Sequence, residues 1–161
     1  MNKAMARDSG FTIIELVVTL AIVGILSTAA MPLAELAVKR SKENELRHAL
    51  RQIRTGIDEY KKAVDQGRVA KLADATGYPP SLELLVAGRE NAKDTAKRKI
   101  YFLRRLPRDP FFDEPGVSAA DTWGKRSYES PPENPQQGKD VFDVYSLSQR
   151  VGINGIPYRE W

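Results

Sequence analysis

Along the first third of the chain, the pattern of apolar and polar positions changes once, and sharply. Residues 16–34 are 19 consecutive positions without a charge, bracketed by Glu15 and Glu35. As helix they span about 28 Å, close to the hydrocarbon thickness of a bilayer. No polar face interrupts them, whereas the core helix of a water-soluble domain normally shows one. The run predicts a membrane-spanning helix half over 11–34. Further on the pattern turns amphipathic: Leu46, Leu50, Ile53, Ile57, Tyr60 and Val64 alternate spacings of four and three, one stripe on one helical face. Glu35 with Lys39, Glu43 with Arg47 and Asp58 with Lys62 stand at i,i+4, pairs worth about 0.2–0.5 kcal/mol each. Gly67 supplies the stop. A helix unbroken over 11–66 is roughly 84 Å long. Its half at 35–66 therefore projects into water and carries what folds after it. A coiled coil is disfavoured, because the stripe lasts only three heptads and the rest of the chain needs a surface to pack on.

Two helix breakers fall inside the run. Pro32 lacks the N–H of a helical hydrogen bond and clashes with the carbonyl four residues back, so kinking or local melting is expected at Gly24 and Pro32. The plainer reading is that both residues are common in transmembrane helices.

The remainder, 67–161, reads as one small globular domain. Residues 75–88, "ATGYPPSLELLVAG", give a loop and a short helix, with Ser81 as N-cap and Gly88 as stop. A charged loop at 89–99 follows. "IYFLRRLPRDPFF", "KRSYESP" and "DVFDVYSLS" read as three short strands between turns rich in Pro, Gly, Asn and Asp. The fold class is α+β: a long N-terminal helix packed on a small antiparallel sheet.

Composition narrows the chemistry. The chain has no cysteine, which excludes disulfides, thiolate nucleophiles and cysteine-based metal centres. Against 21 acidic residues stand 25 basic ones, a net charge of +4 spread along the chain, so no nucleic-acid partner is expected. His48, the sole histidine, falls off the apolar stripe and reads as a solvated surface residue. Asp109, Asp113, Glu114 and Asp121 cluster in sequence, and loop solubility explains them more simply than paired-carboxylate catalysis or a metal site. Trp123 and Tyr128 read as core. Neither G-x-G-x-x-G nor G-x-x-x-x-G-K-[ST] occurs. The chain is not expected to be an enzyme.

Glu15 asks for an explanation. An ionisable side chain costs on the order of 2.5–3.5 kcal/mol at the bilayer centre, less near an edge, and usually has a partner or a task. The next basic residue along the chain is Lys39, far along the axis, so the simplest partner belongs to another subunit. The plainer reading is a glutamate that snorkels to the interface. Before it lies the polar leader 1–10, "MNKAMARDSG", whose Lys3 and Arg7 favour a cytoplasmic N terminus, although Lys39 and Arg40 blunt the asymmetry. The order of parts is not that of a secretory signal peptide, since small residues of a cleavage site precede the apolar run instead of following it.

Gly10, Phe11 and Glu15 in "GFTIIEL", with the basic leader and the apolar run, resemble the processing site of type IV pilins and of type II secretion pseudopilins. The resemblance implies that a prepilin peptidase cuts after Gly10 and N-methylates Phe11. It implies that Glu15 of a neighbouring subunit neutralises the new Phe11 amine during assembly, and that the segment holding Gly24 and Pro32 is extended in the filament. The order of "YP", "LPRDPF", "TWGKRSYESPP" and "FDVYSLS" is similar to the major pseudopilin, over residues 10–148. Expected partners are copies of this chain in a homo-oligomeric filament, other pseudopilins, the peptidase and an inner-membrane assembly platform. The expected setting is a single pass through the inner membrane with the C-terminal domain in the periplasm. Type IV pilus pilins or minor pilins share this architecture, and a membrane-anchored ligand-binding domain is the alternative of another class. One departure stands out. In the resembled family a loop after the "D-x-Y-S-L" strand binds calcium through acidic side chains and carbonyls, while "SQRVGINGIPYREW" holds only Glu160. Calcium takes six to eight oxygens, usually with carboxylates among them. No such site is expected, and Ile153, Ile156, Tyr158 and Trp161 are expected to brace the loop by packing.

Overall fold

A computed structural model describes residues 10–71 and 74–161. Residues 1–9 of the leader, with Lys3 and Arg7, lie outside the described residues. The architecture is α+β. Helix α1 is Ile13–Asp65 and α2 is Glu83–Ala87; the strands are β1 Arg89–Glu90, β2 Lys99–Ile100, β3 Trp123–Arg126 and β4 Asp143–Ser146. The chain divides into two units between Lys39 and Arg40, within α1.

The N-terminal unit is helix alone from Ile13. An 18-residue window of α1 has a mean hydropathy of 2.3 and none of it is buried, which suits a single-pass membrane anchor. Polar side chains in this stretch satisfy themselves: Thr19 Oγ1 donates to the Leu16 carbonyl at 2.9 Å, Ser27 Oγ to Val23 at 2.7 Å and Thr28 Oγ1 to Ile25 at 2.7 Å. Such back-bonding removes the cost of a hydroxyl in hydrocarbon. Helical structure continues without a break through Gly24 and Pro32.

In the second unit the predicted stripe is the core. Leu46, Leu50, Ile53, Ile57, Tyr60 and Val64 are all buried, joined by Ala49 and Ala63 on the same face. Burying an aliphatic side chain of this size is worth about 1.5–3 kcal/mol, which is what holds the rest of the unit on the helix. Leu82, Leu85, Phe102, Trp123, Val144 and Tyr158 are among the residues that join the cluster. Tyr60 meets Phe102 edge-on at 5.2 Å, and Phe111 stacks on Tyr158 at 4.1 Å. α1 stops where the sequence says. Gly67 takes φ +67°, its N–H donates to the Val64 carbonyl and that of Arg68 to the Ala63 carbonyl, both at 2.8 Å. These two bonds are the Schellman pattern, which needs a residue that tolerates a left-handed backbone.

The sheets differ from the expectation of three strands. Among the described residues there are four, in two antiparallel pairs: β1 with β2 (Arg89 opposite Ile100) and β3 with β4 (Trp123 opposite Ser146, Arg126 opposite Asp143). The charged stretch 89–99 is a hairpin closed by β1 and β2, not an open loop. Most of "IYFLRRLPRDPFF" is irregular. Pro107 and Pro110 supply no ladder donor, and the N–H groups of Phe102 and Leu103 both turn to the Leu85 carbonyl, at 3.0 and 2.9 Å. β3 begins at Trp123, ahead of "KRSYESP", and Ser127 leaves the ladder by donating to the Gln136 carbonyl. Gly124 is required there: a Cβ would stand 2.3 Å from the Tyr145 ring, which lies across the strand. For α2 the N-cap is Leu82, without a side-chain bond, so Ser81 does not cap it; Gly88 ends it.

Candidate functional site

Gly10 and Phe11 precede the helix, and Phe11 is 82% exposed. The Glu15 backbone N–H donates to Thr12 Oγ1 at 3.3 Å. Thr12 therefore starts the helix, and Thr12-x-x-Glu15 has the spacing of a capping box. A carboxylate in the first turn also faces the positive end of the helix dipole. This local role was legible in the spacing, and sequence reasoning missed it by seeking a partner only beyond the chain. Glu15 is exposed, so its carboxylate is free for contacts from outside as well. Around Gly24 there is open space, and Pro32 is held in the helix although its ring removes the bond to the Thr28 carbonyl.

In the second unit the side chains with unusual surroundings gather on the C-terminal segment. Glu43 is not paired with Arg47. It is 4% exposed and accepts from the Ile153 N–H at 2.7 Å and from the Tyr158 hydroxyl at 2.9 Å. Burial, and next the Glu43 carboxylate, push the Tyr158 phenol up to about 12. Arg47 instead lays its guanidinium over the Trp161 ring, 4.3 Å from the centroid. Arg54 donates to Asp143 Oδ1 at 2.7 Å and to the carbonyls of Val144 and Trp161 at 3.1 and 2.8 Å. Three residues of α1 thus hold the segment that follows β4. Sequence reasoning missed Glu43, yet the signal existed: it sits three before Leu46, in step with the apolar stripe. The expected ion pairs Glu35–Lys39 and Asp58–Lys62 are not formed among the described residues; Lys61 pairs with Asp65 at 2.5 Å. Tyr158 and Trp161 do brace the C-terminal loop, but Ile153 and Ile156 keep 40% and 45% exposure and contribute main-chain groups.

The acidic residues separate on inspection. Asp109 is no solubilising loop residue, being 2% exposed. Its carboxylate accepts from the Phe111 N–H at 2.8 Å and from Ser146 Oγ at 2.5 Å, while burial pushes its pKa up. Asp121 is held low by the Ser118 hydroxyl and Lys125. Asp113 lies 3.9 Å from Lys42 and 3.5 Å from Arg150. His48 is exposed. Trp123 is core, with Nε1 donating to the Pro107 carbonyl at 2.9 Å. Tyr128 is not core. It is 57% exposed and stacks on Tyr78 at 5.5 Å.

No three His, Asp or Glu side chains converge among the described residues. The C-terminal loop, 148–161, carries one acidic residue of its own, Glu160. The one carboxylate that reaches it from α1, Glu43, takes up N–H and O–H donors from the loop, a surrounding that suits an anion.

Residues 5–31 match the family model for the prokaryotic N-terminal methylation motif. Neither a curated protein nor a solved structure matches the chain.

Proposed function

From a type IV pilin-like N terminus, marked by that motif as a prepilin substrate, we propose that this chain is a pseudopilin of type II protein secretion. It is cut after Gly10 by a prepilin peptidase, methylated on Phe11, and polymerised from the inner membrane by an assembly platform, with other pseudopilins, into a short periplasmic filament. The observation that carries the reading is the N-terminal half of α1: a methylation motif on an apolar helix whose large apolar side chains, among those described, are exposed. In the assembled state that surface meets lipid first and other subunits afterwards. Glu15 then has a second task. Beyond its place in the first turn, its carboxylate meets the Phe11 amine of a neighbour, so docking relieves the cost of carrying a charge in lipid. Gly24 and Pro32 mark where the helix opens in the filament, since Pro32 has already given up one hydrogen bond.

What supports the secretion reading over a type IV pilus is the order of "LPRDPF", "TWG" and "YSL", which resembles the major pseudopilin; in the fold these pieces meet. The Pro107 carbonyl takes the Trp123 indole, the Asp109 N–H donates to Thr122 Oγ1, and Asp109 takes the Ser146 hydroxyl. The domain works without calcium; a chelator leaves its melting temperature unchanged, and a clear drop overturns that point.

Mass spectrometry of the mature N terminus tests the core of the proposal. The expected product begins at a methylated Phe11; a chain that keeps residues 1–10 in cells with the full secretion apparatus ends it. Glu15→Gln separates charge from capping, because Gln serves the capping box equally well. Insertion is expected to persist and filament incorporation to fall. Normal incorporation assigns Glu15 to the cap alone.

A further inference from the structure

Two surfaces of the second unit carry charged side chains that form no ion pair among the described residues. The first is on α1. Arg40, Asn44, Arg47 and Arg51 follow spacings of four, three and four, so they form one exposed line along the helix. None of the three arginines forms an ion pair among the described residues. Beside the line lie two adjoining depressions of about 320 and 300 Å³, which share Arg47 and Asn154 and have Ile153 and Ile156 on the far wall. The floor is thus part apolar and the near wall cationic. Glu160 is the one exposed acid on the rim; Glu43, which also lines it, is buried and engaged by the loop.

The second surface is the segment 129–135, "ESPPENP". Glu129 and Glu133 are exposed and form no ion pair among the described residues. The segment is nonetheless tied down. Ser130 Oγ donates to the Asn134 carbonyl at 3.1 Å, the Gln136 N–H to Ser130 Oγ at 2.7 Å, and Arg126 Nη1 to the Ser130 carbonyl at 3.1 Å. Pro131, Pro132 and Pro135 restrict it further. A pre-ordered acidic loop loses little entropy on docking, and its prolines suit an apolar wall.

We propose that the groove beside Arg40, Arg47 and Arg51 receives the acidic, proline-bearing segment 129–135 of a second copy of this chain. The proposal rests on the reading that the chain polymerises, and deepens it. The two surfaces differ, so the contact is head-to-tail, and a head-to-tail contact that does not close generates an open helical filament. Opposite charges fix the register and disfavour like-to-like pairing.

Because the chain has no cysteine, an engineered disulfide reports only the chosen contact. In cells that process the full chain, Arg51→Cys combined with Glu133→Cys is expected to give a ladder of disulfide-linked multimers, and either change alone none. A dimer from one cysteine alone, or no ladder from the pair, overturns the contact. Charge reversal supplies the second arm and leaves Arg47 on Trp161. Arg40→Glu with Arg51→Glu, or Glu129→Lys with Glu133→Lys, is expected to lose multimers, and all four together to recover them. Reversed chains that assemble as the wild type, or a four-fold variant that does not recover, overturn the contact while leaving the filament reading intact. A processed wild-type chain that forms no multimer at all overturns both.

Discussion

Along α1, Ile13, Leu20 and Ile25 are 85%, 70% and 70% exposed, whereas Leu46, Ile53 and Ile57 are 0%, 0% and 1% exposed. The side chains are of the same kind and the helix is one element, so neither propensity nor hydrophobicity distinguishes the two stretches. What distinguishes them is where the partner comes from. The second half has one apolar stripe, and the segment 67–161 supplies the matching surface. The first half is apolar on every side, and its large side chains stay exposed among the described residues. A monomeric soluble domain rarely leaves an apolar surface of that extent bare, and such a helix suits a single-pass membrane anchor. The comparison explains why a methylation motif and an apolar run sit at one end while the folded domain keeps to the other.

The most severe way to break the comparison is truncation on each side of it. Ile53→Ala should lower the unfolding free energy of the domain by about 2–5 kcal/mol, while Leu20→Ala should leave that transition in place. Denaturant melts of the full chain in detergent check both, and a comparable loss for Leu20→Ala means the first half has an intramolecular partner after all. A smaller effect sharpens the second half. Glu43→Ala leaves the Ile153 N–H and the Tyr158 hydroxyl without their acceptor, at about 1–3 kcal/mol for each group left unpaired. Glu43→Gln keeps an acceptor and should recover the larger part in the same melts. Equal losses for Ala and Gln place the stabilisation in the charge alone.

The smallest effect is in pH. Burial raises the Asp109 pKa above the ordinary aspartate value of 3.8, so the folded chain holds this proton longer than the unfolded one. Stability from this group is greatest below 3.8 and falls as pH rises from there to the folded value, beyond which it stays constant. Asp109→Asn has no such dependence and can still bond both Phe111 and Ser146. Its melting temperature relative to the wild type should therefore climb across that window. A gap independent of pH removes Asp109 as the cause.

The long elements were legible in the sequence because they repeat. The stripe from Leu46 to Val64 fixes one helical face over several turns, and Gly67 ends it where no other residue takes the left-handed conformation as easily. β1 and β2 were not legible, since a two-residue ladder carries no alternation to detect. β3 was displaced because the expected strand began at Lys125, after a glycine that strand interiors usually avoid, and Gly124 finds its reason only once Tyr145 is seen lying over it. Glu43 and Asp109 escaped for a shared reason: a buried carboxylate looks like a surface one until its distant donors, Ile153 and Tyr158 for Glu43 and Ser146 for Asp109, are in place. At the N terminus the methylation motif was legible, whereas the Thr12 cap was hidden by its more conspicuous neighbours.

Of the six tyrosines, Tyr158 combines a phenol pushed up to about 12 with a hydroxyl seated on Glu43. In an alkaline absorbance titration it should ionise well after a phenol of ordinary acidity, near 10. That late step gives the grip of α1 on the C-terminal loop an intrinsic optical gauge: any variant that loosens the loop should advance it, with no label attached and no filament required.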